Sequence, residues 1–353
     1  LLINLNRSVE IIKQNIEIIE NKINYIFKEV TIILDKFNCS CINISGYKRL
    51  NQSQILKENI SYILNSLKLN ISDSEEDKSI LHIFNSKSVL DGKTTDNLPI
   101  GLFGNFYNHE LTFILLNKND LKNIKQIFNK NSINIKKIIN KSFIEGANLI
   151  DSNRNNETFY YVKIKKKSTS VSFFESSAFR YYEKFNFGTN ILKQDISKVC
   201  SIGHEMINNV LANKILNKEV FKESDFIENN FFQNENYRKI KKKLLKDIVK
   251  ARIEEISNIF LFENINVKYS QFPTDKIFIV IEDDLIFDNF EKDFCFYFSK
   301  GINNNITVLK DFEIDSIFYK AANLSVFGWK KEAVPIFQRK NSLITRIFKS
   351  IFE

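Results

Sequence analysis

A chain of 353 residues with 43% hydrophobic and 26% charged residues is long enough for two or three packed domains and too apolar to be disordered. Its net charge of +9 admits nucleic acid or an anionic membrane as partner. Yet Lys, Asn and Ile abound at the expense of Arg, Ala and Gly, a bias that an A+T-rich genome produces by itself. The nine glycines leave room for few phosphate-cradling loops. Cys39, Cys41, Cys200 and Cys295 lie among His82, His109 and His204 without metal-ligand spacing, so no metal site is expected and free thiols are. No run is apolar enough to span a bilayer, and no charged start followed by an apolar core marks a signal peptide.

In chain order, residues 6–28 read as a core helix, with Val9, Ile12, Ile16, Ile19, Ile23 and Ile26 on one stripe. A strand follows at 30–34. The pattern then becomes β-α-β-β-α-β: strand 41–45, a helix carrying Leu56, Ile60, Ile63 and Leu67, strands 80–84 and 111–116, a helix carrying Leu121, Ile124, Ile127 and Phe128, and strand 135–139. That pattern predicts one compact α+β unit over 41–140. Residues 158–165, 170–174 and 179–185 read as a three-stranded meander. Helices are expected at 190–200, 203–216 and, as a long basic helix, about 236–262. A buried strand at 276–281, another helix, a strand at 306–309 and a helix at 316–327 complete the folded part. Residues 330–340, with Pro335, read as a linker.

The basic helix carries Lys239, Lys241, Lys242, Lys243, Lys246 and Lys250, interleaved with Leu244, Leu245, Ile248, Ile253 and Ile256. That is an amphipathic helix with a solvated basic face, and nucleic acid is not an expected partner. No enzyme site emerges. Ser168 and Thr169 have no histidine nearby, Glu145 and Asp151 sit among ordinary helix-end residues, and Tyr160, Tyr161, Tyr181 and Tyr182 alternate in strands as packing residues do.

In the last dozen residues, Leu343, Ile344, Ile347, Phe348, Ile351 and Phe352 fall on one helical face, with Arg346 and Lys349 on the other. So short a helix is marginal in water and is expected to fold on an anionic membrane surface. Half-burial of six such side chains contributes on the order of 6–10 kcal/mol before ordering costs.

A meander that feeds helices, followed by a strand–loop–helix, is the layout of the actin-like ATPase fold. Four stretches in register resemble FtsA, the actin-like bacterial cell-division protein: Pro99-Ile100-Gly101-Leu102-Phe103-Gly104; Ile248-Val249-Lys250-Ala251-Arg252; Phe318-Tyr319-Lys320-Ala321-Ala322 with Phe327-Gly328; and the terminal amphipathic helix. The resemblance covers most of the chain. It implies an actin-like (ribonuclease H-like) α/β fold with an inserted α+β SHS2 domain, called 1C. The expected division is 1–40 as the remainder of subdomain 1A, 41–140 as 1C, 141–186 as the return to 1A with the meander, 187–328 as 2A and 2B, 329–340 as linker and 341–353 as membrane helix. It implies self-assembly into filaments, contacts of 1C with later division proteins, and tethering of FtsZ to the cytoplasmic face of the inner membrane at the division site. Arg252, with Lys250, is then the expected holder of the acidic FtsZ C-terminal peptide, because an arginine grips a carboxylate with two hydrogen bonds. The family's first phosphate loop would lie before Leu1.

Two loops depart from the family. Where it has Asp-Ile-Gly-Gly-Gly-Thr, this chain has Lys163-Ile164-Lys165-Lys166-Lys167-Ser168, and where it has Gly-Gly near the adenosine, this chain has Glu282-Asp283. An acid that would help hold Mg²⁺ has become Lys163. Three lysines are not expected to form the glycine turn, and Glu282, Asp283 and Asp284 would repel a nucleotide. Two unit charges about 5 Å apart interact by roughly 3 kcal/mol at an effective dielectric near 20. The expectation is a degenerate site that needs no ATP or Mg²⁺ and hydrolyses nothing, with Lys165–Lys167 and Glu282–Asp284 pairing across the cleft. The alternatives are an active actin-like ATPase and a pilus-assembly relative of the same fold.

Overall fold

The computed structural model describes residues 4–95, 97–153, 158–232, 236–270, 276–299, 305–309 and 311–333. The tail residues expected to meet a membrane, Leu343 to Phe352, lie outside the described residues.

The chain opens with α1 (Leu5–Ile23), capped by the Asn4 side chain, which accepts from Arg7 N–H at 3.1 Å. Asn24 takes a left-handed conformation with φ 53° and ends the helix, so it stops short of the expected residue 28. Nor is α1 a core helix. Ser8 is its one fully buried residue, and Ile18, Ile19 and Ile23 are exposed. It packs mainly against one neighbouring helix, introduced below as α3.

Then come β1 (Glu29–Leu34), β2 (Cys39–Arg49), α2 (Lys57–Ser74), β3 (Lys78–Leu90), β4 (Lys93–Thr95), β5 (Phe106–Asn117), α3 (Lys118–Asn129) and β6 (Asn134–Asn140). Their pairing splits the unit expected over 41–140. Strands β2, β5, β3 and β4 form an antiparallel sheet in that order, with α2 buried against one face. Strand β6 leaves that sheet and pairs in parallel with β1. Both β1 and β6 carry apolar runs that suit a parallel pair, and hydrophobic periodicity within each strand does not say which partner it takes.

The second half follows as α4 (Lys141–Asn153), β7 (Phe159–Ile164), β8 (Thr169–Glu175), β9 (Ala178–Phe185), α5 (Asn190–Cys200), α6 (His204–Ala212), α7 (Lys242–Ser257), α8 (Ile265–Ser270), β10 (Lys276–Ile281), α9 (Asp284–Phe298), β11 (Asn305–Leu309) and α10 (Ile314–Phe327). The meander β7-β8-β9 is antiparallel, and β10 joins β7 in parallel to give the order β11-β10-β7-β8-β9. The basic helix is shorter than the expected 236–262, because it starts at Lys242 and passes into a π turn at Asn258–Phe262.

Alternation along β7 divides the core. Tyr160, Val162 and Ile164 face the cluster built with α5, α6, α7 and α9. Phe159 and Tyr161 face the other cluster, where α4, α10, β6 and part of the inserted sheet meet. Lys163 has the same parity as Phe159 and Tyr161, so it points into that second layer and is 1% exposed. Residues expected to be linker are docked: Asn85 N–H donates to Lys331 O at 2.7 Å and Ala333 N–H to Ile83 O at 2.8 Å.

Candidate functional site

Strands β7 and β10 are parallel and end together at Ile164 and Ile281. The crevice outside the carboxyl ends of parallel strands is where open α/β sheets bind ligands. Both loops singled out in the sequence leave from this point: Lys165 follows β7, and Glu282 N–H donates to Ile164 O at 2.8 Å.

The crevice is filled by an ion-pair network. Lys163 Nζ lies 2.6 Å from Glu145 Oε1, 2.7 Å from Glu282 Oε1 and 2.7 Å from Asp311 Oδ1. The Lys165 ammonium sits 2.6 Å from Asp35 Oδ1 and 3.8 Å from Glu282 Oε1. Lys141 stands one helical turn before Glu145 and 3.7 Å from it. Tyr161 O–H donates to Glu145 Oε2 at 3.1 Å. On the far side, Asp283 accepts from Thr189 Oγ1 at 2.8 Å and meets Lys193 at 3.2 Å. Five carboxylates (Asp35, Glu145, Glu282, Asp283, Asp311) thus face four ammoniums (Lys141, Lys163, Lys165, Lys193), and the charge of Lys184 acts on Asp35 as well, so the network is close to neutral.

The titration directions follow. Burial works against a charged Lys163, but the charge of Glu145 and hydrogen bonds to Asp311, Glu145 and Glu282 outweigh it and raise the ammonium pKa above its ordinary value. Burial pushes the Glu145 carboxyl up, opposed by Lys163 and Lys141. For Asp35 and Asp311 burial is the largest single influence, yet the combined pull of their lysines wins and holds both below the ordinary carboxylate value. Tyr161 is pushed well above its ordinary value by burial, with Glu145 adding to it.

A Mg-nucleotide does not fit these residues. Phosphate oxygens would have to displace three carboxylates from Lys163, and those carboxylates would repel a tri-anion in a half-dry cleft. The turn itself is tight, which differs from the expectation: Lys165 N–H donates to Ser168 O at 2.9 Å. It is built without left-handed residues, since neither Lys166 nor Lys167 has a positive φ, so it offers none of the nest of amides that a glycine loop presents. Gly188 permits the close packing behind the turn. A Cβ there would lie 1.8 Å from Lys165 O, and Thr189 N–H donates to that same oxygen at 3.0 Å.

The expected cross-cleft pairing takes a different form. Lys163 and Lys165 meet Glu282, and Lys193 meets Asp283. Lys166 and Lys167 are exposed and face a separate hollow beside Gly188 and Asn190. Ser168 closes the turn, and Asp284 opens α9. Glu145 and Asp151 are not ordinary helix-end residues: the first is 1% exposed beneath Lys163, and the second binds Lys320. Sequence reading missed Glu145, Asp35 and Asp311. The available signal was Lys163 itself, a lysine in phase with Phe159 and Tyr161 that could be buried only with partners.

The expected peptide-holding pair is engaged within the chain. Arg252 Nε lies 2.5 Å from Asp195, its guanidinium also meets Glu255, and Lys250 lies 3.9 Å from Asp293. Lys246 is not on a solvated face. It is 5% exposed, 2.6 Å from Asp293 and over the Phe290 ring. Among the described residues, no group of three or more His, Cys, Asp and Glu is arranged to hold a metal ion, and no helix is long and apolar enough to cross a membrane.

No protein-family model matches the sequence, and no curated protein matches it. Among solved structures, the chain is similar to the PilM-PilN type IV pilus biogenesis complex, with 8% identity, a TM-score of 0.51 and coverage of 92% of this chain and 84% of that one. MreB5 of Spiroplasma citri bound to ADP shares 13% identity over 59% of this chain and 65% of its own, with a TM-score of 0.41. The ethanolamine utilization protein EutJ from Carboxydothermus hydrogenoformans shares 11% over 59% and 62%, with a TM-score of 0.35. The last two likenesses are too distant to carry an argument. The fold is that of the actin-like ATPases.

Proposed function

We propose that this chain is a non-hydrolysing adaptor of actin-like fold, similar to FtsA, which self-assembles and tethers FtsZ filaments to the cytoplasmic face of the inner membrane at the division site. The observation that carries the non-hydrolytic part is Lys163, held by Glu145, Glu282 and Asp311 where the fold's nucleotide chemistry belongs. A cleft closed by its own charges has no use for the nucleotide's charge, so the work passes to surfaces. The proposed surfaces are the amphipathic segment 341–353, the α7 face around Arg252 and Lys250, and the inserted sheet for later division proteins. Each subunit would hold the membrane weakly, and assembly would multiply that affinity.

Three measurements test the reading. Calorimetry with Mg-ATP should give no saturable heat, and micromolar Mg-dependent binding would return the chain to the active ATPases. Co-sedimentation of FtsZ with anionic vesicles should require both the full chain and residues 341–353. Arg252→Glu should weaken capture of the FtsZ C-terminal peptide, and unchanged capture removes Arg252 from the site.

A second reading rests on the likeness to a PilM-PilN complex across 92% of the chain. Here the chain would be a pilus-assembly relative of the same fold that does not need the terminal helix. Loss of membrane binding on deletion of 341–353 favours the first reading. Retention of function in the deletion favours the second.

A further inference from the structure

The outer face of α10 carries an uncovered apolar ridge. Ile314, Phe318, Ala322 and Val326 recur every fourth residue, Tyr319 flanks them and Phe327 ends the helix. Steps of four follow one ridge of a helix surface. The inner face, with Ile317, Ala321 and Leu324, packs with α4 and the β1–β6 pair. Ile314, Phe318, Tyr319, Val326 and Phe327 are each more than half exposed. Single exposed apolar residues are ordinary, but a contiguous row of them marks a contact site. Charge interrupts the row only at its start, where Glu313 and Asp315 are exposed. Lys320 turns inward to Asp151 and the Trp329 ring.

The last described residues stay close to that ridge. Lys137 Nζ donates to Leu324 O, in the last turn of α10, at 3.2 Å and to Glu332 at 2.7 Å. From Ala333 to Asn341 the chain can reach at most roughly 28 Å, enough to turn back along α10. The segment 341–353 has the complementary pattern. Its apolar positions, from Leu343 to Phe352, cover roughly 14 Å as a helix, and the ridge from Ile314 to Val326 covers roughly 18 Å. Arg346 and Lys349 against Glu353 leave the segment cationic. Packed antiparallel, as in a helical hairpin, it carries Lys349 toward the end of α10 that bears Glu313 and Asp315.

We propose that segment 341–353 docks its apolar face on the α10 ridge when no membrane is present. The proposal rests on reading the chain as a membrane-surface adaptor, and it gives the bilayer a competitor within the chain. A helix so short needs an apolar partner to form, and the ridge supplies one in water. The same six side chains cannot meet ridge and bilayer together, so the two contacts exclude each other. Apparent membrane affinity then falls with the fraction of chains that are open.

The test uses the full chain. The ridge variant is Phe318→Ser with Val326→Ser. The control is Tyr47→Ser with Phe103→Ser, two exposed aromatics of the inserted unit. Circular dichroism should show both folded. One readout is co-sedimentation with vesicles of phosphatidylglycerol and phosphatidylcholine. The other is trypsin cleavage after Arg339, Lys340, Arg346 and Lys349 without vesicles. The ridge variant should bind vesicles about tenfold more tightly and lose its tail about tenfold faster, the two factors agreeing because both scale with the open fraction. The control should match the parent in both. A ridge variant that also matches the parent overturns the proposal, and so does a change in one readout alone. Weaker vesicle binding by the ridge variant overturns it as well and makes the ridge part of the membrane contact. Tail protection that is lost on dilution of the parent gives the ridge to a second copy instead. If the full chain binds no vesicle, the membrane reading falls, and the cleavage rates alone decide whether the tail docks.

Discussion

Lys163→Met isolates the cleft network, because methionine keeps most of the side-chain volume and removes the charge. Removing one partner of a buried ion pair typically costs about 3–5 kcal/mol, since the other charge is left unpaired. Three carboxylates lose their cation here, but their weights differ. Glu145 is 1% exposed, whereas Glu282 is 24% and Asp311 41% exposed, so solvent screens much of the repulsion among the last two. A loss of about 3 kcal/mol at pH 7 follows, most of it from Glu145. For a chain of this size that lowers the melting temperature by about 4 °C.

The pH dependence gives the sharper signature. Burial already raises the Glu145 pKa above its ordinary 4.5 in the parent, and losing Lys163 raises it further. A group whose folded pKa is raised loses stability as pH climbs from its unfolded value through its folded one. The variant's deficit should therefore be small near pH 4.5 and grow toward pH 7. Melting followed by circular dichroism at both pH values checks this. A variant that melts within about 1 °C of the parent at pH 7, or whose deficit does not change with pH, would refute the network as drawn. Adding Glu145→Gln to Lys163→Met should recover part of the loss, because it removes the stranded charge.

The parent should lose stability in acid: burial opposes the charge on Asp35, Asp311 and Glu332, but their cationic partners hold all three below ordinary values. That stability is present above roughly pH 4 and is lost as pH falls through the folded values, so the urea midpoint should drop steeply between pH 4 and 2.5; a flat midpoint counts against it. Gly188→Ala places a Cβ 1.8 Å from Lys165 O and should cost about 1–3 kcal/mol in urea melts by forcing the backbone apart. Glu332→Ala strands His82 and Lys137 and should cost about 1–3 kcal/mol. Trp329 donates to Ser177 O at 2.8 Å, so its emission should shift red before the global transition in that variant.

The legible elements were those whose signal is local. The meander, the strand at 276–281 and the helix at 190–200 match because alternation, turn residues and period each point one way. What failed was pairing at a distance. Strand β6 reads like a sixth element of the inserted unit, yet its partner is β1, about a hundred residues upstream. Helix α1 carries a full apolar stripe, yet Asn24 ends it and much of the stripe stays exposed. The cleft shows the same limit. Lys163, Lys165 and Glu282 were visible as departures from a pattern. Glu145, Asp35 and Asp311 come from an interior helix position and two loop positions with no motif around them, and only the fold brings them within 3 Å of the lysines.

The two loop departures are physically one change. A lysine at position 163 points into a layer shared with Phe159 and Tyr161, where an unpaired ammonium would cost several kcal/mol or lose its proton. It is tolerable because Glu145, Asp311 and Glu282 answer it. Glu282 and Asp283, in turn, stand at the carboxyl end of a central strand beside three other acids. They are tolerable because Lys163, Lys165 and Lys193 reach them. The charges of neither loop are tolerable without those of the other. Lys163→Asp would crowd a further carboxylate against Glu145, and Glu282→Gly would release the cation that closes the cleft. Each loop's charges have their counter-charges within the chain. That mutual neutralisation supports the proposed non-hydrolysing role, in which the chain's surfaces would carry the function.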